Sequence, residues 1–231
     1  MNNVKFKFNN NEYSFFYNPE DTSGLGCISE IVIRNEYKLD RFVGLKESTF
    51  IDIGANCGVN TIILAKQNPE SIIYAYEPYY KTYELLQKNI SENKLTNVRA
   101  FNLAVSKKGI NKLMLSIHET MTGANSTYAE NLKFSNQYGI NQNFLEVECD
   151  YFDNIIEKFN IAKVELLKID CEGAEYDILY NSKALENNKI KNIVGEFHDL
   201  KYNQCDNNSS KLIEHCKKYI NGSINITVLS A

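Results

Sequence analysis

Residues 49–66, TFIDIGANCGVNTIILAK, decide the fold. Phe50, Ile51 and Ile53 make a short apolar run of the kind found in a strand covered on both faces, interrupted at Asp52. Gly54 and Gly58 then bracket Ala55, Asn56 and Cys57, and Val59, Ile62 and Ile63 resume on one face of a helix. Gly54 allows a sharp turn after the strand, and Gly58 lets the first helical turn approach a ligand with no side chain in the way. Gly-x-x-x-Gly alone equally describes a strand-to-helix turn without a ligand.

The next strand favours a ligand. Residues 71–76 are again apolar and end at Glu77-Pro78. A carboxylate about 20 residues beyond such a turn grips a ribose diol in doubly wound folds. Asn56 stands where G-x-G-x-x-G has its second glycine, the residue that lets a pyrophosphate lie against the backbone, so a dinucleotide is disfavoured. Asp52 would repel a pyrophosphate but attract the ammonium of an amino acid. Adenosine, ribose and amino-acid ammonium together describe S-adenosylmethionine (SAM). The residues expected around it are Asp52, Gly54, Asn56, Gly58 and Glu77. Asn102, at the end of a third strand over 98–103, is placed to meet the adenine edge, or serves as a hydrogen-bonded turn asparagine.

A chain of 231 residues with 43% hydrophobic residues is sized for one core, read here as a main domain over 46–231 with an N-terminal addition over 1–45. Net charge is −4 and no basic run exceeds the pairs Lys107-Lys108 and Lys217-Lys218, which argues against a nucleic-acid partner. No apolar stretch is long enough for a membrane span and the N-terminus lacks a signal-peptide core, so a cytoplasmic protein is expected. Six cysteines without a C-x-x-C pair signal neither zinc nor a redox motif.

Residues 1–19 alternate Val4, Phe6, Phe8 with Tyr13, Phe15, Tyr17 around Asn9-Asn10-Asn11, a hairpin expected to cover one end of the sheet. A lead-in helix is expected over 27–42. Tyr79, Tyr83, Leu86 and Ile90 space an amphipathic helix. Residues 112–149 break the alternation with strands at 113–117 and 144–149 around a Gly- and Asn-containing loop, an insertion expected to lie over the ligand end as a flap that sets acceptor choice. Alternation returns with a helix at 153–159, strands at 164–170 and 193–196, a helix from Ser209-Ser210 to Gly222 and a strand at 224–229. The fold class is therefore α/β, a doubly wound and mostly parallel sheet with its site at the strands' carboxyl ends.

Asp170, Glu172, Glu196 and His198 then fall at the ends of the fourth and fifth strands. Methyl transfer to a hydroxyl needs two atoms positioned in line and one proton removed, and Asp170, Glu172 and His198 are the available bases. Asp170-x-Glu172-Gly173 also reads as an acidic helix N-terminus, and His198 as a surface histidine. A divalent cation such as magnesium on Asp170, Glu196 and His198 is the alternative to a direct base. The direct base is preferred, because KIDCEG supplies only two carboxylates and Glu196 is taken to face away from the neighbours of His198.

FIDIGANCG, YAYEP, LLKIDCEGAEYDIL and GEFH, in this order from Thr49 to His198, resemble the FkbM family of SAM-dependent methyltransferases, with Cys171 where valine is usual. The resemblance implies a class I, Rossmann-like methyltransferase fold and, most often, O-methylation of sugars, glycan precursors or other natural products. By position it assigns Asp52, Gly54, Asn56, Gly58 and Glu77 to the cofactor, and Asp170, Glu172, Glu196 and His198 to the region of chemistry. Such a sheet usually closes with a reversed strand pair. Only 224–229 remains for it here, so the C-terminal edge is either abbreviated or completed by a partner chain in a homodimer. Two other readings stand beside O-methylation of a small molecule, sugar or glycan: a SAM-dependent modifier of a macromolecule, and a nicotinamide-dependent oxidoreductase. The Asn/Asp-Pro-Pro-Tyr/Phe signature of amino-group methylation is absent at the fourth strand, which tilts the acceptor toward oxygen.

Overall fold

The computed structural model describes residues 1–126, 143–199 and 208–230. The middle of the expected flap, 127–142, and Cys205 lie outside these residues. The chain opens with β1 (Asn2–Phe8) and β2 (Asn11–Tyr17), an antiparallel pair. Asn9 and Asn10 join them with φ of 45° and 62°, the left-handed pair of a two-residue hairpin turn that asparagine tolerates well. The hairpin does not cap the sheet as expected. It docks on helices, because Asn89 and Asn93 bond the free edge of β2 as another strand would: Asn89 Oδ1 accepts from Phe16 N at 2.7 Å, and Asn93 Nδ2 donates to Ser14 O at 2.7 Å.

The lead-in helix forms earlier than expected. Asp21 accepts from Ser23 N and caps α1 (Thr22–Ile28), which runs into a π-helical turn (Ser29–Ile33). Left-handed Asn35 and Lys38 then break the helix before Phe42. Next come β3 (Thr49–Ile53), α2 (Val59–Gln67), β4 (Ile72–Tyr76), α3 (Tyr80–Glu92) and β5 (Val98–Phe101). The insertion is a small sheet in which β8 (Asn143–Tyr151) pairs antiparallel with β7 (Lys112–Ile117) and parallel with β6 (Ala104–Ser106), a short strand not foreseen. Alternation resumes with α4 (Phe152–Lys158), β9 (Leu166–Ile169), α5 (Glu175–Leu179), α6 (Lys183–Glu186), β10 (Ile193–Asp199), α7 (Ser209–Lys217) and β11 (Ile224–Ser230).

Among the described residues, the main sheet has the order β11-β10-β9-β3-β4-β5 with every pair parallel. The central strands β3, β4 and β9 bury both faces. Ile51, Ile53, Leu167, Ile169, Ile193 and Phe197 pack against α4, α5 and α7. Phe50, Ile73, Leu166 and Val194 pack against α2, with Tyr13, Phe15, Leu39 and Phe42 of the N-terminal segment completing that layer. This is the doubly wound α/β architecture. The direction of strand addition reverses between β3 and β9, and at such a switch point the carboxyl ends splay to leave a crevice. No described strand runs antiparallel in this sheet or pairs with the outer edge of β11, where Val228 and Leu229 are 42% and 44% exposed.

Candidate active site

The glycine turn is shaped by what lies behind it. Gly54 has φ of 77°, and a Cβ there would stand 1.8 Å from the carbonyl oxygen of Asp170, so only glycine lets β3 and β9 end side by side. Asn56 takes the left-handed conformation, φ 50°, and its backbone N–H donates to Glu77 Oε2 at 2.9 Å. Tyr79 N donates to Glu77 Oε1, also at 2.9 Å. Burial pushes the Glu77 carboxyl up to about 7, against the pull of these two N–H donors and of Lys168.

Three expected cofactor residues sit elsewhere than foreseen. Gly58 does not border the cavity: at φ 93° a Cβ would meet Leu86 Cδ1 at 2.4 Å, so this glycine serves the packing of the turn on α3. Asp52 is fully buried below the turn, where Thr61 Oγ1 donates to Oδ2 at 2.6 Å and Lys168 Nζ lies 3.4 Å from Oδ1. Its face of β3 points at α2, out of reach of an ammonium. Asn102 is exposed and spends Nδ2 on the carbonyls of Glu77 and Pro78 at 2.9 and 2.8 Å, the turn role left open above.

A cavity of about 390 Å³ opens over the switch point. Toward β5 and the insertion its walls are apolar: Pro78, Leu103, Ala104, Val105 and Leu115. Asn56 and Glu77 stand between, and Lys168, Asp170, Glu172 and Glu196 line the other side. Its roof has two pieces, the segment from Thr22 to Tyr37 and the loop from Thr122 to Asn125. They are latched to each other. Asp21 accepts from Thr122 N at 3.1 Å and Oγ1 at 2.6 Å, and Ser23 Oγ accepts from Gly123 N at 2.8 Å.

Alternation along β9 and β10 puts Lys168, Asp170, Glu196 and His198 on one face of the sheet. The expected separation of Glu196 from His198 is therefore wrong: residues two apart on a strand share a face, and Glu196 Oε2 lies 3.9 Å from His198 Nε2. Lys168, missed in the sequence reading, is the cross-strand partner of Asp52, lies 3.5 Å from Asp170 and donates to Gly54 O at 2.6 Å. Burial works against its charge, but the carboxylates of Asp52 and Asp170 more than offset it and raise its pKa. Glu175 was missed as well. It is fully buried, accepts from Cys171 N and holds His198 Nδ1 at 3.3 Å.

His198, 12% exposed, has Glu172 at 3.4 Å on its other nitrogen. Burial disfavours its charge, but the Glu175 hydrogen bond and the charges of Glu172 and Asp170 lift it to about 10. An imidazolium has no lone pair for a proton, which argues against His198 as the base at neutral pH. Glu172 is raised by burial to about 8, and Glu196 by burial and by Asp170 to about 7. Tyr37, with no signal in the sequence, reaches Asp170 Oδ2 at 3.1 Å and Glu196 Oε1 at 3.3 Å.

The residues fit SAM. An apolar slot suits an adenine, Glu77 borders the cavity with two of its lone pairs tied to backbone and others left for a diol, and a side chain at Gly54 would displace the turn. Asp170, Glu196 and His198 also bring one ligand atom each to within 4.8 Å of one another. Lys168 Nζ, 3.5 Å from Asp170, already brings positive charge to the place a cation would take.

Comparison with known proteins places the chain in a family. The model of the "Methyltransferase FkbM domain" family matches residues 52–220. Methyltransferase 1 of Beauveria bassiana is 29% identical over 203 residues, covering 82% of this chain and 80% of that protein. Methyltransferase sdnD of Sordaria araneosa is 23% identical over 168 residues, 63% of this chain and 64% of its own length. Among solved structures, an rRNA methylase from Streptococcus thermophilus aligns over 86% of this chain and 70% of its own, with a TM-score of 0.38 and 11% identity, a likeness that adds nothing to the strand order above. The turn, Glu77 and the strand-end acids thus lie inside one matched family region, and the chain belongs to the FkbM family of SAM-dependent methyltransferases.

Proposed function

We propose that the protein moves a methyl group from SAM to a hydroxyl of a small molecule, sugar or glycan precursor. The observation that carries this reading is Asp170: a carboxylate bordering the cavity, oriented by Lys168 and Tyr37, next to a histidine that is already protonated. SAM supplies an electrophilic methyl on a sulfonium. Pro78 and the 103–105 stretch enclose the adenine end, Glu77 accepts from the ribose diol, and Asn56 shapes the turn between them. Glu172 stands at the same edge of the cavity, beside His198. Asp170 takes the proton of the acceptor hydroxyl as the oxygen becomes nucleophilic, and His198 holds the surrounding carboxylates in place. The loop at 122–125 borders the same cavity and takes part in acceptor choice.

Five described cysteines are unpaired, which supports a reducing, cytoplasmic setting. Among the described residues no helix is long and apolar enough to cross a membrane. The exposed β11 edge keeps a homodimer within the proposal, and sedimentation at two concentrations tests it. The reaction is tested by mass spectrometry of small-molecule and surface-glycan fractions from a deletion strain, followed by turnover on the fraction that lacks a methyl group. Asp170→Asn is expected to lower turnover by about 10² to 10⁴ while SAM affinity stays nearly intact. Full turnover in Asp170→Asn would remove the base and leave positioning alone to account for the rate.

A further inference from the structure

Tyr37 precedes the region matched by the family model and belongs to the N-terminal segment. Its ring is buried against the layer that covers α2, and its hydroxyl emerges between the ends of β9 and β10. The neighbouring Glu36 anchors it to the sheet: the Glu36 carbonyl accepts from Asn225 Nδ2 at 2.8 Å and its Oε1 from Thr227 Oγ1 at 2.9 Å, both on β11. The phenol is therefore held from behind by β11 and aimed at the cavity.

A phenol has one proton, yet this one stands within hydrogen-bond reach of two carboxyl groups, 3.1 Å from Asp170 and 3.3 Å from Glu196. Both contacts are satisfied when a protonated Glu196 donates to the Tyr37 oxygen and Tyr37 donates to the Asp170 carboxylate. We propose that Tyr37 is a positioning residue for methyl transfer, joining Glu196 and Asp170 into one hydrogen-bonded chain so that the N-terminal segment fixes how Asp170 faces the acceptor. The proposal rests on the reading of Asp170 as the base.

The surroundings favour a singly protonated pair. Burial and the neighbouring carboxylates keep the phenol itself protonated, and burial together with Asp170 retains a proton on Glu196. Lys168 faces the pair from β9 and His198 from β10. Cys171 and Glu172 face it from the turn after β9, and Cys27, Glu30 and Glu36 from the N-terminal segment. The excess of acids makes a second negative charge costly, so one proton stays in the chain.

The test is a carboxyl ¹³C NMR titration of the whole protein labelled at Asp and Glu, with the two signals identified by their loss in Asp170→Asn and Glu196→Gln. In the wild type the Glu196 signal titrates above the ordinary carboxylate range. Tyr37→Phe keeps the ring but removes the donor to Asp170 and the acceptor for Glu196, which destabilises the singly protonated state. The Glu196 step should fall by about one pH unit. As a second measurement that leaves packing intact, 3-fluorotyrosine placed at Tyr37 should give a ¹⁹F signal that follows the Glu196 step. An unchanged or rising Glu196 step in Tyr37→Phe, or a ¹⁹F signal indifferent to pH, would overturn the proposal. These titrations need neither SAM nor an acceptor, so their failure is separate from failure of the methyl-transfer reading. Turnover retained in Asp170→Asn sinks the base and leaves the hydrogen-bonded chain standing.

Discussion

At the scale of single residues, the site is a set of carboxyl groups whose differences come from their neighbours. Glu77 is tied to backbone N–H groups of Asn56 and Tyr79, so its side chain is held in one orientation at the cavity's border, where the proposed function puts the ribose. Glu77→Ala should weaken SAM binding by about 1.5 to 3 kcal/mol, roughly tenfold to a hundredfold, read by calorimetry, because two hydroxyls lose their acceptor. Unchanged affinity would reduce Glu77 to a brace of the turn. His198 has a structural role that Asp170 lacks. Its imidazolium answers the fully buried Glu175, and His198→Ala leaves that carboxylate uncompensated, a loss of about 3 to 5 kcal/mol of stability. The pH dependence follows from the same groups. Glu77, Glu172 and Glu196 are raised from 4.5 to about 7, 8 and 7, and His198 from 6.5 to about 10. Each binds its proton more tightly folded than unfolded, so the stability it contributes is complete below the unfolded value and is lost as pH rises through the folded one. Melting temperature without ligand should therefore fall from about pH 5 to pH 10, and Glu172→Gln should flatten the portion up to pH 8. A melting temperature that rises over this range would contradict the assignment.

At the scale of elements, the roof is two pieces acting as one. Asp21 caps α1 and, with the same carboxylate, holds Thr122; Ser23 holds Gly123. Gly123 in turn lies over Asn56, since a Cβ there would come 3.8 Å from the Asn56 amide nitrogen. Asp21→Ala removes the cap, at about 0.5 to 2 kcal/mol, and both bonds to Thr122. Hydrogen exchange should then accelerate in 21–28 and in 120–126 together while the β1–β2 hairpin keeps its protection. Acceleration in only one of the two segments would mean that they move independently. The same geometry alters what is expected of the insertion. A loop that touches both the glycine turn and the acid side does not separate acceptor choice from cofactor binding, so replacing 122–126 with a short linker should weaken SAM binding as well as methyl transfer.

At the scale of the whole molecule, what was legible in the sequence is what chain neighbours decide. The β3 turn, Glu77 at the end of β4, and Asp170 and Glu172 after β9 each lie within a few residues of the pattern that marks them. Tyr37 and Asp170 are 133 residues apart, and no periodicity links an N-terminal tyrosine to a strand end on the far side of the switch point. Asp52, Asn102 and Gly58 were misjudged for a related reason: a carboxylate, an amide or a glycine beside a turn looks the same whether it faces the ligand or the protein behind it. Lys168 was recoverable, since it stands two residues before Asp170 and shares its face of the strand. The N-terminal segment is part of the core and not an appendage. Tyr13, Phe15, Leu39 and Phe42 cover Phe50, Ile62, Ile63 and Ile73, so a chain lacking residues 1–45 should fail to fold. A ligand in the cavity would touch both halves of the sheet and this N-terminal wall, so binding should stabilise one cooperative unit. SAM or its demethylated product at about a hundred times its dissociation constant should add about 2.7 kcal/mol, and at about 2 to 4 °C per kcal/mol for this size the midpoint should rise by about 5 to 10 °C as a single transition. NAD should leave it unmoved, because left-handed Asn56 occupies the place where a dinucleotide turn brings bare backbone against the pyrophosphate. Protection by NAD with none by SAM would overturn the assignment of the cavity, and two resolved transitions would show that the N-terminal wall is not part of the unit that binds.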